Sequence, residues 1–190
     1  MKKILSLSCL WAFLLLQTPV IALVPGPILL SEESLQSLKN SGDAPLEIPK
    51  SRAKGHCLKI ESSRICPGIP FVKAQALHSS LLPENASRVL LYPEKGNLQA
   101  LLVFLPTSFQ LPAPSPEQEP LVLGPEPSPL KDVLAVFSEV PSPLPFAQIF
   151  PAKIGNVEDL TVWYFAEKHL GLISHHSEKG DFVVGVFVHH

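Results

Sequence analysis

The stretch LGLISHHSEKGDFVVGVFV, residues 170–188, decides how the rest of the chain is read. Two apolar runs, Leu170–His176 and Phe182–Val188, flank Ser177-Glu178-Lys179-Gly180-Asp181. A short link containing glycine between two strand-like runs spells a β-hairpin. The glycine supplies the left-handed backbone that such a turn needs. The outgoing run is apolar at nearly every residue, which predicts a central strand covered on both faces.

The same turn is written once before. VLLY (Val89–Tyr92) and LQALLVFL (Leu98–Leu105) flank Pro93-Glu94-Lys95-Gly96-Asn97, and the two Glu-Lys-Gly tripeptides stand 84 residues apart. Beyond this turn the two segments share little except hydrophobicity, and the spacing far exceeds a solenoid period. Shared turn chemistry, not a duplicated module, explains the pair.

Between the hairpins, residues 106–129 carry eight prolines in PTSFQLPAPSPEQEPLVLGPEPSP. Proline favours extended polyproline II and removes backbone donors that a sheet requires. The segment is therefore expected as a stiff spacer or surface loop, with recognition by an aromatic-lined groove as the alternative. Leu121-Val122-Leu123 is placed to touch the core or to form an edge strand. Leu130–Phe137 (LKDVLAVF) is compatible with either a short helix or a strand.

Immediately before the last hairpin, Asn156 followed by Glu158 and Asp159 resembles an N-cap with acids in the first turn. Leu160, Trp163 and Tyr164 then recur at helical spacing, with Lys168 and His169 in the last turn and Gly171 as the stop. This predicts a helix over 157–169. The expected fold class is α+β: an antiparallel sheet with two hairpins, packed on that helix and interrupted by the Pro-rich segment.

The N-terminus decides the chemistry available to the rest. Lys2 and Lys3 precede Ile4–Leu16, an apolar run of 13 residues, and Val20-Ile21-Ala22 presents small or aliphatic residues for cleavage. This is the pattern of a secretory signal over residues 1–22. An uncleaved anchor is disfavoured because a span needs about 20 uninterrupted apolar residues, whereas Gln17, Pro19, Pro25 and Pro27 interrupt this one. Residues 23–56 then read as a linker with one short helix, opened by Ser31-Glu32-Glu33-Ser34 and carrying Leu35 and Leu38. A single domain is expected over residues 57–190, within which Ile60, Ile65, Ile69, Phe71 and Val72 are candidate buried points.

Lys2 and Lys3 leave with the signal, so 13 of the 15 basic residues face 17 acidic ones, a net charge of −4. A mildly acidic total carries no nucleic-acid or membrane-surface footprint. No second segment approaches a membrane span. The location expected is secreted or periplasmic.

Of three cysteines, Cys9 lies in the signal, leaving Cys57 and Cys66. In an oxidising compartment this pair reads as a structural disulfide. The spacing is not the Cys-x-x-Cys of a redox site, and His56 alone does not complete a zinc site. Around the pair, residues 50–73 hold Lys50, Arg52, Lys54, Lys59, Arg64 and Lys73 against the single acid Glu61. Lys54, Lys59 and Arg64 are the candidate binding residues, suited to an acidic protein or an anionic polymer. Asn85-Ala86-Ser87 is an N-glycosylation acceptor if the source is eukaryotic.

Five of the seven histidines, His169, His175, His176, His189 and His190, fall in the last 22 residues. If Glu178–Gly180 is the turn, His175 and His176 lie at the hairpin tip and His189 and His190 at its open end, near His169. About seven strand residues at ~3.3 Å each keep the groups roughly 20 Å apart. His169, His189 and His190 are therefore the candidate zinc or copper ligands, although no HExxH or paired-cysteine motif accompanies them. No Gly-x-Ser-x-Gly elbow and no phosphate-cradling glycine loop is present. The function expected is a non-enzymatic binding protein with no cofactor, the alternative being a metal-binding protein that uses the C-terminal histidines.

Overall fold

The computed structural model describes residues 30–40, 56–113, 117–150 and 159–190. Residues 1–22, the expected signal, lie outside them, as do Lys54 and Asn156. The N-terminal half contains α1 (Glu32–Asn40), β1 (Leu58–Ile60), β2 (Ser63–Ile65), α2 (Phe71–His78), α3 (Pro83–Ala86), β3 (Val89–Glu94) and β4 (Asn97–Phe104). There follow β5 (Phe109–Leu111), β6 (Leu121–Leu123), β7 (Ser128–Pro129), α4 (Leu130–Leu134), β8 (Ser142–Pro145) and α5 (Phe146–Ile149). The chain closes with β9 (Leu160–Phe165), β10 (Leu170–Ser177) and β11 (Gly180–His189). Among the described residues these make a sheet-rich α+β fold of antiparallel strands.

Both hairpins form as the sequence predicts, and they sit side by side. The larger, seven-stranded sheet runs β3-β4-β11-β10-β9-β8, with β7 pairing off this path to β11. Each hairpin closes through two residues: Lys95-Gly96 between the paired Glu94 and Asn97, and Glu178-Lys179 between the paired Ser177 and Gly180. Gly96 and Gly180 take positive φ, +82° and +114°, with open space around them.

The doubly apolar strands fill two cores. On one face, Val89, Leu101, Val103, Leu172, Val186 and Val188 pack with Leu58, Ile60, Ile65 and Phe109 of the smaller sheet. On the other face, Leu90, Leu102, Phe104, Val184 and Phe187 pack with Leu35 and Leu38 of α1 and Phe146 and Ile149 of α5. The helix expected in the N-terminal linker is thus part of the folded body. Ser31 Oγ caps it by accepting from the Ser34 backbone N–H at 3.2 Å.

Two glycines are required by close approach. At Gly185 a Cβ would lie 2.8 Å from the Val103 carbonyl oxygen and 2.8 Å from the Phe104 ring. The pairing register shifts between Ile173 and Ser174, so β11 bulges at this point and its face alternation resets. At Gly171 a Cβ would meet Val162 Cγ1 at 2.6 Å.

The helix predicted over 157–169 is a correction. Residues 157 and 158 lie outside the described residues, while Leu160–Phe165 is strand β9, followed by a turn. Leu160, Val162 and Tyr164 face one core, and Trp163 and Phe165 face the other. Leu160 and Tyr164 are four apart and satisfy both the helical and the strand period. β-branched and aromatic residues favour the pleated surface, and a six-residue run is short for a helix. Gly171, read as the helix stop, is instead a strand residue pressed against Val162 and Phe187.

In the Pro-rich segment, Leu121–Leu123 forms the edge strand that the sequence allows, and Phe109–Leu111 forms a strand that it does not announce. Of its residues 114–116 nothing is described, but its flanks supply β5 and β6, half of a four-stranded sheet ordered β2-β1-β5-β6. Prolines bracket the runs Phe109–Leu111 and Leu121–Leu123 without interrupting either, so the backbone donors of both survive. Val72, expected to be buried, is 77 % exposed on α2. Among the described residues no helix is long and apolar enough to cross a membrane.

Candidate functional site

Cys57 and Cys66 are joined, with their Cα atoms 4.1 Å apart. They lie one step beyond the paired Leu58 and Ile65, so the bridge clamps the open end of the β1–β2 hairpin. This hairpin alternates strictly: Leu58, Ile60, Ser63 and Ile65 point into the core, and Lys59 and Arg64 point out.

Pairing across the smaller sheet then sets a row that no local reading could assemble. Arg64 pairs with Lys59, Lys59 with Gln110, and Gln110 with Val122. Strand neighbours in register share a face, so one line crosses four strands from two cations through an amide to an apolar edge. Val122 is 62 % exposed. A shallow depression of about 210 Å³ opens along this line, walled by Lys59, Gln110 and Val122 and also by Glu61, Ser108 and Phe109.

Glu61, the one acid of the basic stretch, sits at the hairpin tip with a left-handed φ of +53°. Its carboxylate accepts from the Leu82 backbone N–H at 3.2 Å and from Asn85 Nδ2 at 2.5 Å. The acid is thereby anchored to the start of α3. The described ion pairs, Glu94–Lys95 and Asp181–His176, lie on the other hairpins. Asn85 of the glycosylation sequence is partly exposed and shares its amide with Glu61.

A second cluster occupies the open end of the C-terminal hairpin. As the sequence predicts, His175 and His176 lie near the tip, paired with Phe182 and Asp181, while His169 and His189 meet at the far end. The His169 and His189 rings stack with centroids 4.5 Å apart and planes 8° apart. Phe187 and Tyr164 stack on His189 in turn. His169 and His189 are 0 % and 1 % exposed. The His189 N–H donates to the His169 carbonyl at 3.2 Å, closing the strand pair.

The hydrogen bonds assign a tautomer. His189 Nδ1 lies 3.1 Å from the His190 carbonyl oxygen, which can only accept, so Nδ1 carries the proton. Nε2 then accepts from the Tyr164 hydroxyl at 2.7 Å. Neither ring nitrogen of His169 has a hydrogen-bond partner. Burial pushes the His189 pKa down to about 4, helped by the neighbouring His169 and His190 and opposed by the His190 carbonyl. Burial likewise lowers His169; the His189 backbone opposes this, though the contact does not close to a hydrogen bond, and the nearby His190 adds to the lowering. His56, next to the disulfide, is lowered by burial, then by Lys168 and His169. The Tyr164 hydroxyl is pushed up to about 12 by burial and by Glu139.

Among the described residues, this end of the sheet is not arranged as a metal centre. Both nitrogens of His189 are engaged, and the parallel planes of His169 and His189 prevent their in-plane lone pairs from converging. The His190 ring packs instead against Gly68, where a Cβ would collide with it. Among the described residues no group of three His, Cys, Asp or Glu side chains is placed to hold a metal ion. Nothing in the sequence joins Tyr164 or His56 to this cluster, because Tyr164 reaches His189 only when residues 160–165 form a strand. Compared with known proteins, the chain matches no family model, no curated protein and no solved structure.

Proposed function

We propose that this chain is an extracytoplasmic, non-enzymatic interaction protein that uses the outer face of its four-stranded sheet to hold an acidic segment of a partner protein. The disulfide and the lack of a membrane-crossing helix among the described residues are compatible with that location. The observation that carries the reading is the cross-sheet row Arg64–Lys59–Gln110–Val122. Neither cation has an acid as its partner in the row, and the carboxylate of Glu61, which shares the depression, is already bonded to Leu82 and Asn85. Lys54, the third candidate binding residue of the sequence, lies outside the described residues.

The order of the row favours a protein segment over a uniformly charged polymer. Cations, an amide and an apolar edge suit a ligand that carries acids at one end and an aliphatic side chain at the other. Charge complementarity would set its orientation and on-rate, and Val122 would supply apolar contact.

An immobilised peptide alternating Glu with Val is the test, with heparin as the comparison. The native chain is expected to bind the peptide, less tightly as salt rises. Lys59→Glu with Arg64→Glu should abolish binding, and Val122→Ser should weaken it about fivefold, the equivalent of ~1 kcal/mol of apolar contact. Undiminished binding by the charge-reversed chain rejects the surface. Tighter binding to heparin than to the peptide rejects a protein ligand.

A further inference from the structure

We propose that the stacked His169–His189 pair is an acid-sensitive latch, which fastens the open end of the C-terminal hairpin to the disulfide hairpin at neutral pH and lets go when a ring is protonated. The inference is independent of what the outer sheet face binds.

Three attachments converge at this end of the molecule. β11 is tied to the turn before β10 through the His189 N–H and the His169 carbonyl. It is tied to β4 through the His190 N–H and the Gln99 carbonyl, at 2.9 Å. The His190 ring lies on Gly68, whose own N–H donates to the Leu98 carbonyl at 2.7 Å, in the segment that follows Cys66. His56, which precedes Cys57, brings the other side of the disulfide hairpin close enough to feel Lys168 and His169. The stacked rings are thus where the turn before β10, the end of β11 and both flanks of the disulfide come together.

The groups around the pair are mostly cationic or neutral. The turn that holds His169 contributes Lys168 and Glu167, the segment before the disulfide contributes His56, and β11 contributes His190. From β9 comes Tyr164, whose hydroxyl can turn to accept from a protonated His189, so the hydrogen bond itself need not be lost. Besides Glu167, Glu139 is an acid on this side. One of its oxygens accepts from the Glu167 N–H at 3.3 Å, and the other is buried with no partner among the described residues. Its charge is felt at Tyr164. A proton on His169 would instead sit against a parallel ring 4.5 Å away; among the described residues its ring makes no hydrogen bond, and only the His189 backbone offers it some relief.

His169 also has a left-handed backbone, φ +49°, uncommon outside glycine although histidine adopts it more readily than most side chains. Such a conformation persists where surroundings over-determine it, and here the stacked ring supplies the restraint. Loss of the stack lets the turn relax, which makes release of the strand end the natural response to charge.

Hydrogen exchange on the full chain at pH 7 and pH 5, corrected for intrinsic rates, tests the latch. Protection at residues 98–100 and 185–190 should fall roughly 20-fold from pH 7 to pH 5 for a histidine held neutral down to about 4. The tip around His176 and Asp181 should be unaffected. In a chain carrying His169→Asn and His189→Gln, protection should no longer depend on pH; asparagine tolerates the left-handed turn, and glutamine can keep the contact with Tyr164. Constant protection in the native chain, or an equal fall in the double variant, overturns the proposal. Should that variant not fold, NMR titration of the native rings decides. Two rings neutral until the strand end opens support the latch; two rings titrating near 6.5 in the closed protein exclude it.

Discussion

Tyr164 on β9 and His189 on β11 meet across the width of β10, hydroxyl to Nε2 at 2.7 Å, although 25 residues separate them in the chain. The strand between them has glycine at position 171, and a Cβ there would fill the space that Val162 and Phe187 occupy. The bond joins the second core to the histidine stack. Tyr164→Phe would leave His189 Nε2 buried without a partner. Unfolding in urea should show a loss of about 1–3 kcal/mol, the range for an orphaned buried acceptor. A loss below a few tenths would mean that water reaches the ring.

Stability should decline on the acid side. The folded protein holds His189 at about 4 against 6.5 when unfolded, so between these values the unfolded chain binds the extra proton. A depressed pKa gives stability that is fully present above 6.5 and is lost as pH falls toward 4. His189 alone accounts for about 3 kcal/mol over that window, and His169 and His56 shift in the same direction. Denaturant midpoints at pH 7.5, 6 and 4.5 check this, and a midpoint constant from pH 7.5 to 4.5 would contradict it.

Glycine substitutions should separate strain from crowding. Gly185→Ala presses a methyl on the Val103 carbonyl, a backbone atom that cannot move aside, and should cost about 1–3 kcal/mol or more. Gly96→Ala meets nothing within 4 Å and bears only its positive φ, so roughly 1 kcal/mol is expected. Thermal melts should rank Gly185→Ala well below Gly96→Ala; the reverse order would refute the close approach at the bulge.

The disulfide closes a short loop, its cysteines nine positions apart. On the chain-entropy model, replacing both with serine should cost about 3 kcal/mol. The loss should be visible as a lower denaturant midpoint, with the larger sheet still formed by far-UV circular dichroism.

The parts legible in the sequence are those set by neighbours in the chain. The Glu-Lys-Gly turns fixed both hairpins, because a two-residue loop brings adjacent strands into register with little ambiguity. The same register correctly placed His169 beside His189 and far from His176. β9 looks helical in the sequence because Leu160 and Tyr164 suit either period, and only burial on both faces, which takes in Trp163, decides for the strand. In the Pro-rich segment the edge strand Leu121–Leu123 is legible, but Phe109–Leu111 is not, because what preserves it is where the prolines fall and not how many there are. The row from Arg64 to Val122 depends on β1 finding β5 about 50 residues downstream. That pairing has no local signal, and the proposed surface exists only once it forms.

The account rests on a chain that leaves the cytosol and is oxidised at Cys57 and Cys66. Intact mass of the protein from its own cells, taken without reductant and after thiol alkylation, tests this most directly. The predicted species lacks residues 1–22, is two hydrogens lighter than its reduced form, and carries no alkyl group. A full-length species with alkylated Cys57 and Cys66 would contradict it.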